Sequence, residues 1–114
     1  MVDFLIQHKY FPFVFFIFVL VLYGLTITAG VAGGDSGEFV AITHTWGVAH
    51  PPGFPLYSVL GNLFSFLPLG SGVLNINIFS AVFGAAGALF LFLAVKFRFK
   101  DVQMAFVTGL VYAT

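Results

Sequence analysis

Cysteine is absent from this chain of 114 residues, and charge nearly so: four Lys or Arg and four Asp or Glu make up 7% of it. Without Cys there are no disulfides, thiolate nucleophiles or Cys-ligated metals, and the redox compartment cannot be read. A soluble domain commits about a quarter of its residues to charge, so the polar surface of a dissolved globular enzyme is missing. Disorder is excluded too, because it requires low hydrophobicity and high charge. So few basic residues leave no electrostatic footprint for nucleic acid, and no nucleic-acid partner is expected. What the chain has instead is 61% hydrophobic residues, seventeen of the 114 being Phe. That composition belongs in a membrane.

The positions of the eight charges divide the chain. Lys9 precedes an uncharged stretch from Tyr10 to Gly34, and no Asp, Glu, Lys or Arg occurs between Glu38 and Lys96. About 20 apolar helical residues cross a hydrocarbon core of about 30 Å. One span is predicted over 11–31 and a second over 75–95, where Phe83 to Ala88 (Phe-Gly-Ala-Ala-Gly-Ala) supplies small residues that let helices approach closely. A third apolar run, 102–114, is too short to cross, so the chain reads as 1–114 of one multi-pass domain whose remaining spans lie beyond it. The fold class expected is all-α integral membrane: two complete transmembrane helices, the start of a third, and a first exoplasmic loop over 32–74 carrying two short surface-lying helices.

Orientation follows from the basic residues. Lys9 lies before the first span and Lys96, Arg98 and Lys100 after the second, so both flanks, the N-terminus included, are expected in the cytoplasm. The membrane is the plasma or inner membrane, or the endoplasmic reticulum. A cleaved signal peptide ending near Gly30-Val31-Ala32 is the competing reading, but the apolar run exceeds the usual h-region of about 7–15 residues, which favours a retained anchor.

Within the loop, Asp35 and Glu38 stand three apart, as in a capping box, ahead of a helix predicted over about 36–46. Phe39, Ile42, Thr43 and Trp46 share one face, and Gly47 is expected to end the helix. Three prolines and a glycine among Pro51 to Pro55 enforce a rigid bend. Pro55 then opens a second helix to about Leu67, with Tyr57, Leu60, Phe64 and Leu67 along one face and Pro68 closing it. Each polar residue has a structural use: Asp35 and Glu38 as caps, His44 and His50 as hydrogen-bonded interface residues, Trp46 and Tyr57 as interfacial anchors, Asn62, Asn75 and Asn77 as bridges between helices. His44 and His50 are six apart, unlike the close helical pair of a zinc site, so no divalent metal is supported. Two carboxylates beside a His-Pro turn, where a membrane helix ends in an otherwise uncharged chain, are nonetheless functional candidates.

Gly33-Gly34-Asp35-Ser36-Gly37-Glu38, then His50-Pro51-Pro52-Gly53-Phe54-Pro55-Leu56-Tyr57, then Asn77-Ile78-Phe79-Ser80-Ala81 resembles the GT-C-type membrane glycosyltransferase family related to the transmembrane protein 260 protein O-mannosyltransferase. The likeness runs from about Gly33 to Gly84. It implies a polyprenyl-phosphate-linked sugar as donor substrate, a protein or other hydroxyl acceptor, and inverting transfer of mannose or another hexose, with membrane lipid and the remaining spans as further partners. Carried onto this chain, it implies Asp35 as catalytic base and Glu38 as the second catalytic candidate. His50, Pro51, Pro52, Gly53 and Tyr57 would bind the donor or structure the turn, and His44 is a secondary candidate. No cofactor beyond the lipid-linked donor is implied. The alternative is a non-enzymatic transporter or lipid-carrier component whose acidic loop is a gate or a structural cap.

Overall fold

The computed structural model describes residues 9–114; the rest of the N-terminal flank assigned to the cytoplasm lies outside the described residues. Five helices follow: α1 (Phe11–Thr26), α2 (Ser36–Thr45), α3 (Pro55–Ser65), α4 (Gly72–Phe99) and α5 (Val102–Ala113). Among the described residues there is no strand. They form two compact units, one of the N-terminal part to Thr26 with Ala81–Thr114, the other Ile27–Ser80.

The first unit is built from α1, the later part of α4, and α5. Its core is Phe15, Val19, Ala85, Ala88, Phe92 and Ala105. Phe15 and Phe92 stack with ring centres 5.0 Å apart. The small residues do what their size permits: Ala85 and Ala88 are fully buried. A methyl added at Gly109 would meet the Phe15 ring at 2.7 Å, so only glycine fits there.

Among the described residues only α4 is long and apolar enough to cross a membrane; α1 and α5 are shorter apolar helices. The span predicted over 11–31 is a helix of 16 residues ending at Thr26. At 1.5 Å per residue it is about 24 Å long, short of a hydrocarbon core of about 30 Å. The cause is local. Thr26 turns its hydroxyl back onto the carbonyls of Leu22 and Tyr23, and the carbonyls of Thr28 and Gly30 accept instead from the Asn77 side-chain amide. Conversely, α4 exceeds its predicted 75–95 at both ends. Ser71 supplies a hydroxyl to the Leu74 N–H at its start, and the helix carries Lys96 and Arg98 in its last turn, where cations suit the dipole. Asp101 caps α5 by accepting from the Met104 N–H at 2.9 Å.

The second unit is α2, the proline turn, α3 and the beginning of α4. α2 and α3 fall where the loop helices are predicted, with altered ends and faces. α2 stops at Thr45 because Trp46, not Gly47, takes the left-handed conformation (φ 55°). Trp46 is thereby turned off the Phe39/Ile42/Thr43 face and is exposed. On α3 the most buried residues are Ser58, Gly61 and Asn62; of the predicted face, Tyr57 and Phe64 both pack on Phe79, and Leu67 lies exposed beyond the helix end. Gly61 sets the contact with α2: a Cβ there would lie 2.5 Å from Thr43 Cγ2, so this face lets α3 approach α2 most closely. Polar amides secure the contact. Asn62 donates to the Thr43 carbonyl at 2.6 Å, and Asn75 to those of Leu67 at 2.6 Å and Ser65 at 3.1 Å. Both Asn side chains are 1% exposed, and each leaves its Oδ1 without a hydrogen-bond partner.

Candidate functional site

Asp35 immediately precedes α2, and Glu38 lies in its first turn. The capping box predicted from their spacing does not form. Asp35 makes no side-chain cap hydrogen bond, and Glu38 reaches twelve residues ahead to His50 rather than back to the helix start. Its Oε1 accepts the His50 backbone N–H at 2.6 Å and its Oε2 accepts from His50 Nδ1 at 2.8 Å. A turn containing Pro51, Pro52 and Pro55 has few backbone donors of its own. The carboxylate takes the N–H that precedes the prolines in place of a local cap.

This two-point contact fixes the imidazole. With Nδ1–H spent on Glu38, only Nε2 remains, and it lies 4.0 Å from Asp35 Oδ2. One histidine thus stands between two carboxylates. Hydrogen bonds from the His50 backbone and ring hold Glu38 below the usual carboxylate range, while Glu38 first, and Asp35 at longer range, push His50 above the usual imidazole value. Asp35 is the most open of the three, with 68% of its side chain exposed, against 37% for Glu38 and 45% for His50.

The turn residues support the ring. The peptide between Pro51 and Pro52 is cis, and Gly53, at φ 92°, donates its N–H to the His50 carbonyl at 2.8 Å. Phe54 meets the His50 ring edge-on at 5.7 Å, and Phe39 packs edge-on against both Phe54 and Tyr57. Tyr57 belongs to this support rather than to the carboxylates: its hydroxyl pairs with Ser80 Oγ at 2.9 Å and its ring packs on Phe79. His44 stands apart, its Nδ1 donating to the Val40 carbonyl one turn earlier in α2. Among the described residues, no group of three His, Asp or Glu side chains is arranged to hold a metal ion. The Glu38–His50 pairing was not foreseen from sequence. Its only signal was that the single histidine at the proline turn follows the only two carboxylates of the loop.

A family model described as the protein O-mannosyl-transferase TMEM260 N-terminal domain matches residues 35–111. The match begins at Asp35 and takes in the carboxylates, the turn and most of α5. Two curated relatives are protein O-mannosyl-transferase TMEM260 of Mus musculus, 41% identical over 78 residues, and of Dictyostelium discoideum, 38% identical over 84 residues. These alignments cover 68% and 70% of this chain but 11% and 10% of the relatives, so the chain spans about a tenth of their length. No solved structure matches it.

Proposed function

The chain belongs to the protein O-mannosyl-transferase TMEM260 N-terminal domain family, and on that premise we propose that it is the N-terminal part of a GT-C-type glycosyltransferase. The enzyme moves mannose or another hexose from a polyprenyl phosphate to a Ser or Thr hydroxyl of a protein, with inversion. Its loop, 32–74, lies on the exoplasmic side of the membrane, opposite Lys9 and the Lys96/Arg98/Lys100 cluster.

The observation that carries this reading is the division of labour between the carboxylates. Both oxygens of Glu38 are engaged by His50, whereas Asp35 is exposed and free of the helix cap. A general base must reach its proton, and Asp35 is the carboxylate that can. It takes the proton from the acceptor hydroxyl as that oxygen bonds to the anomeric carbon. The bond from that carbon to the phosphate oxygen breaks on the opposite side, and the electron pair leaves with the lipid phosphate. Glu38 acts through His50 as a positioning residue. His50 holds the turn and keeps Nε2 beside Asp35, where it can steady the carboxylate or donate to the departing phosphate.

Asp35→Asn, made in the polypeptide that carries this chain, tests the reading. A base contributes about 10²–10⁴-fold, so sugar transfer from the polyprenyl-phosphate donor falls by that range while expression and membrane insertion hold. Transfer at the unaltered rate overturns it.

A further inference from the structure

Asn77 and Ser80 stand three residues apart near the start of α4, so they are neighbours on one side of that helix. Each holds a different limb of the loop. Ser80 Oγ pairs with the Tyr57 hydroxyl of α3 at 2.9 Å. Asn77 Nδ2 donates to the carbonyls of Thr28 at 2.8 Å and Gly30 at 3.1 Å, in the segment that leads from α1 to Asp35. All of these residues lie in the second unit.

That entry segment has few other means of holding its course. Residues 28–35 are exposed throughout. Gly30, Gly33 and Gly34 leave the backbone wide freedom, which Gly34 uses at φ 67°. Its remaining hydrogen bonds to side chains, among the described residues, run from the Gly30 N–H to Thr28 Oγ1 and from the Ala32 N–H to Ser36 Oγ, each at 3.2 Å. Ser36 opens α2 and adjoins Asp35. Only Val31 therefore separates a residue pinned to α4 from one pinned to α2. The two pins form a short strap from α4 to the start of α2. Asparagine suits the α4 end, because one amide nitrogen on a short side chain carries the two hydrogens that two carbonyls require. An aspartate of the same shape would turn oxygen toward both.

Asp35 depends on such a strap. Its side chain makes no cap hydrogen bond, and at 4.0 Å from His50 Nε2 it stands beyond hydrogen-bond reach. Its aim is thus decided by its backbone. On one side α2 fixes that backbone, the Phe39 N–H donating to the Asp35 carbonyl at 3.0 Å; on the other the strap does. We propose that Asn77 is the positioning residue for Asp35: by holding Thr28 and Gly30 on α4 it fixes the chain entering α2, and with it the reach of the carboxylate. The inference rests on the reading of Asp35 as the base and adds the residue that aims it.

The test uses the polypeptide that carries this chain. Asn77→Asp is expected to lower kcat for sugar transfer on the order of 10²-fold, the cost of a misplacement of about 1 Å, with KM unchanged. Asn77→Gln, which keeps both donors, loses less. In an Asp35→Asn background Asn77→Asp lowers the residual transfer no further, because a residue that acts only through Asp35 then has nothing left to aim. Millisecond hydrogen–deuterium exchange, read by mass spectrometry, measures the strap without sugar transfer. The peptide 28–36 exchanges faster in Asn77→Asp, while the peptide 47–54 that holds His50 keeps its rate and so reports an intact fold. Unchanged exchange over 28–36, equal acceleration of both peptides, or an undiminished Asn77→Asp effect in the Asp35→Asn background overturns the proposal. Asp35→Asn that transfers sugar at the unaltered rate overturns the base reading instead, and the strap then stands or falls on exchange alone.

Discussion

Each of the two units of this chain has its own kind of internal joint. The first packs by shape: Phe15 and Phe92 stack, alanines and glycines admit them, and its fully buried side chains are all apolar. The second also buries Ile42, Ile76 and Phe79, and to that packing it adds side-chain amides donating to backbone carbonyls and one carboxylate tied to a histidine. In a nonpolar setting, packing makes helices adhere wherever surfaces fit, whereas hydrogen bonds to single carbonyls specify one register. The proposed role of Asp35 and His50, which needs a fixed separation, is served by the second kind of joint.

The largest expected effect attacks the packed unit. Phe92→Ala removes a ring that touches Phe15 and Phe11 and leaves a cavity among fully buried neighbours. Such truncations cost about 3–5 kcal/mol, read as a loss of thermal or denaturant stability in detergent micelles. The Glu38–His50 contact is expected to survive at temperatures where this unit has opened, as measured by exchange of the His50 amide.

An intermediate effect separates the two kinds of joint inside the second unit. Asn75→Ala strips the carbonyls of Ser65 and Leu67 of their shared donor, at a cost of about 1–3 kcal/mol. Ile76→Val, one residue away and equally buried, removes a single methylene at about 0.5–1.5 kcal/mol. If the valine variant proves the more damaged of the two in the same unfolding assay, the second unit is a packed core like the first and the contrast fails.

Much of this was legible in the sequence. The positions of α2, α3 and α5, the small-residue contact around Ala85 and Ala88, and the bridging use of Asn62, Asn75 and Asn77 follow from spacing and residue type. Three features were not. The end of α1 at Thr26 depends on Asn77, forty-nine residues away, capturing the Thr28 carbonyl. Which side of α3 meets α2 was not assigned from sequence, because Gly61 carries no hydrophobic signal, yet its lack of a side chain decides which face meets Thr43. Asp35 and Glu38 match a capping box by spacing alone, and spacing cannot register a competing N–H delivered by a proline turn twelve residues on. The sequence therefore picked out Asp35, Glu38 and His50 as candidates but not the geometry that commits Glu38 to His50 and leaves Asp35 at 4.0 Å from the ring.

The smallest effect sharpens that division through pH. Glu38 has its pKa lowered in the folded chain, so its contribution is complete above its ordinary value of 4.5 and is lost as pH falls through the lowered one. His50 has its pKa raised, so its contribution is complete below its ordinary value of 6.5 and is lost as pH rises through the raised one. The ionic contact is therefore fullest between those two ordinary values and weakens on either side, but the two sides differ in kind. On the alkaline side Glu38 stays ionised and still accepts from both the His50 N–H and a neutral ring protonated at Nδ1, so the turn stays closed. On the acid side the protonated carboxyl no longer accepts strongly at both oxygens, and the turn is released from α2. Amide exchange at His50 is thus expected to accelerate only at low pH, while its imidazole carbon shifts, followed by NMR, titrate above the ordinary histidine value. Glu38→Gln keeps one acceptor for the backbone N–H but removes the charge. It should bring the His50 titration back toward 6.5 and flatten the acid acceleration. An unchanged His50 titration in that variant would mean that Asp35, not Glu38, governs the imidazole, and that the carboxylate assigned to catalysis is also the one holding the turn.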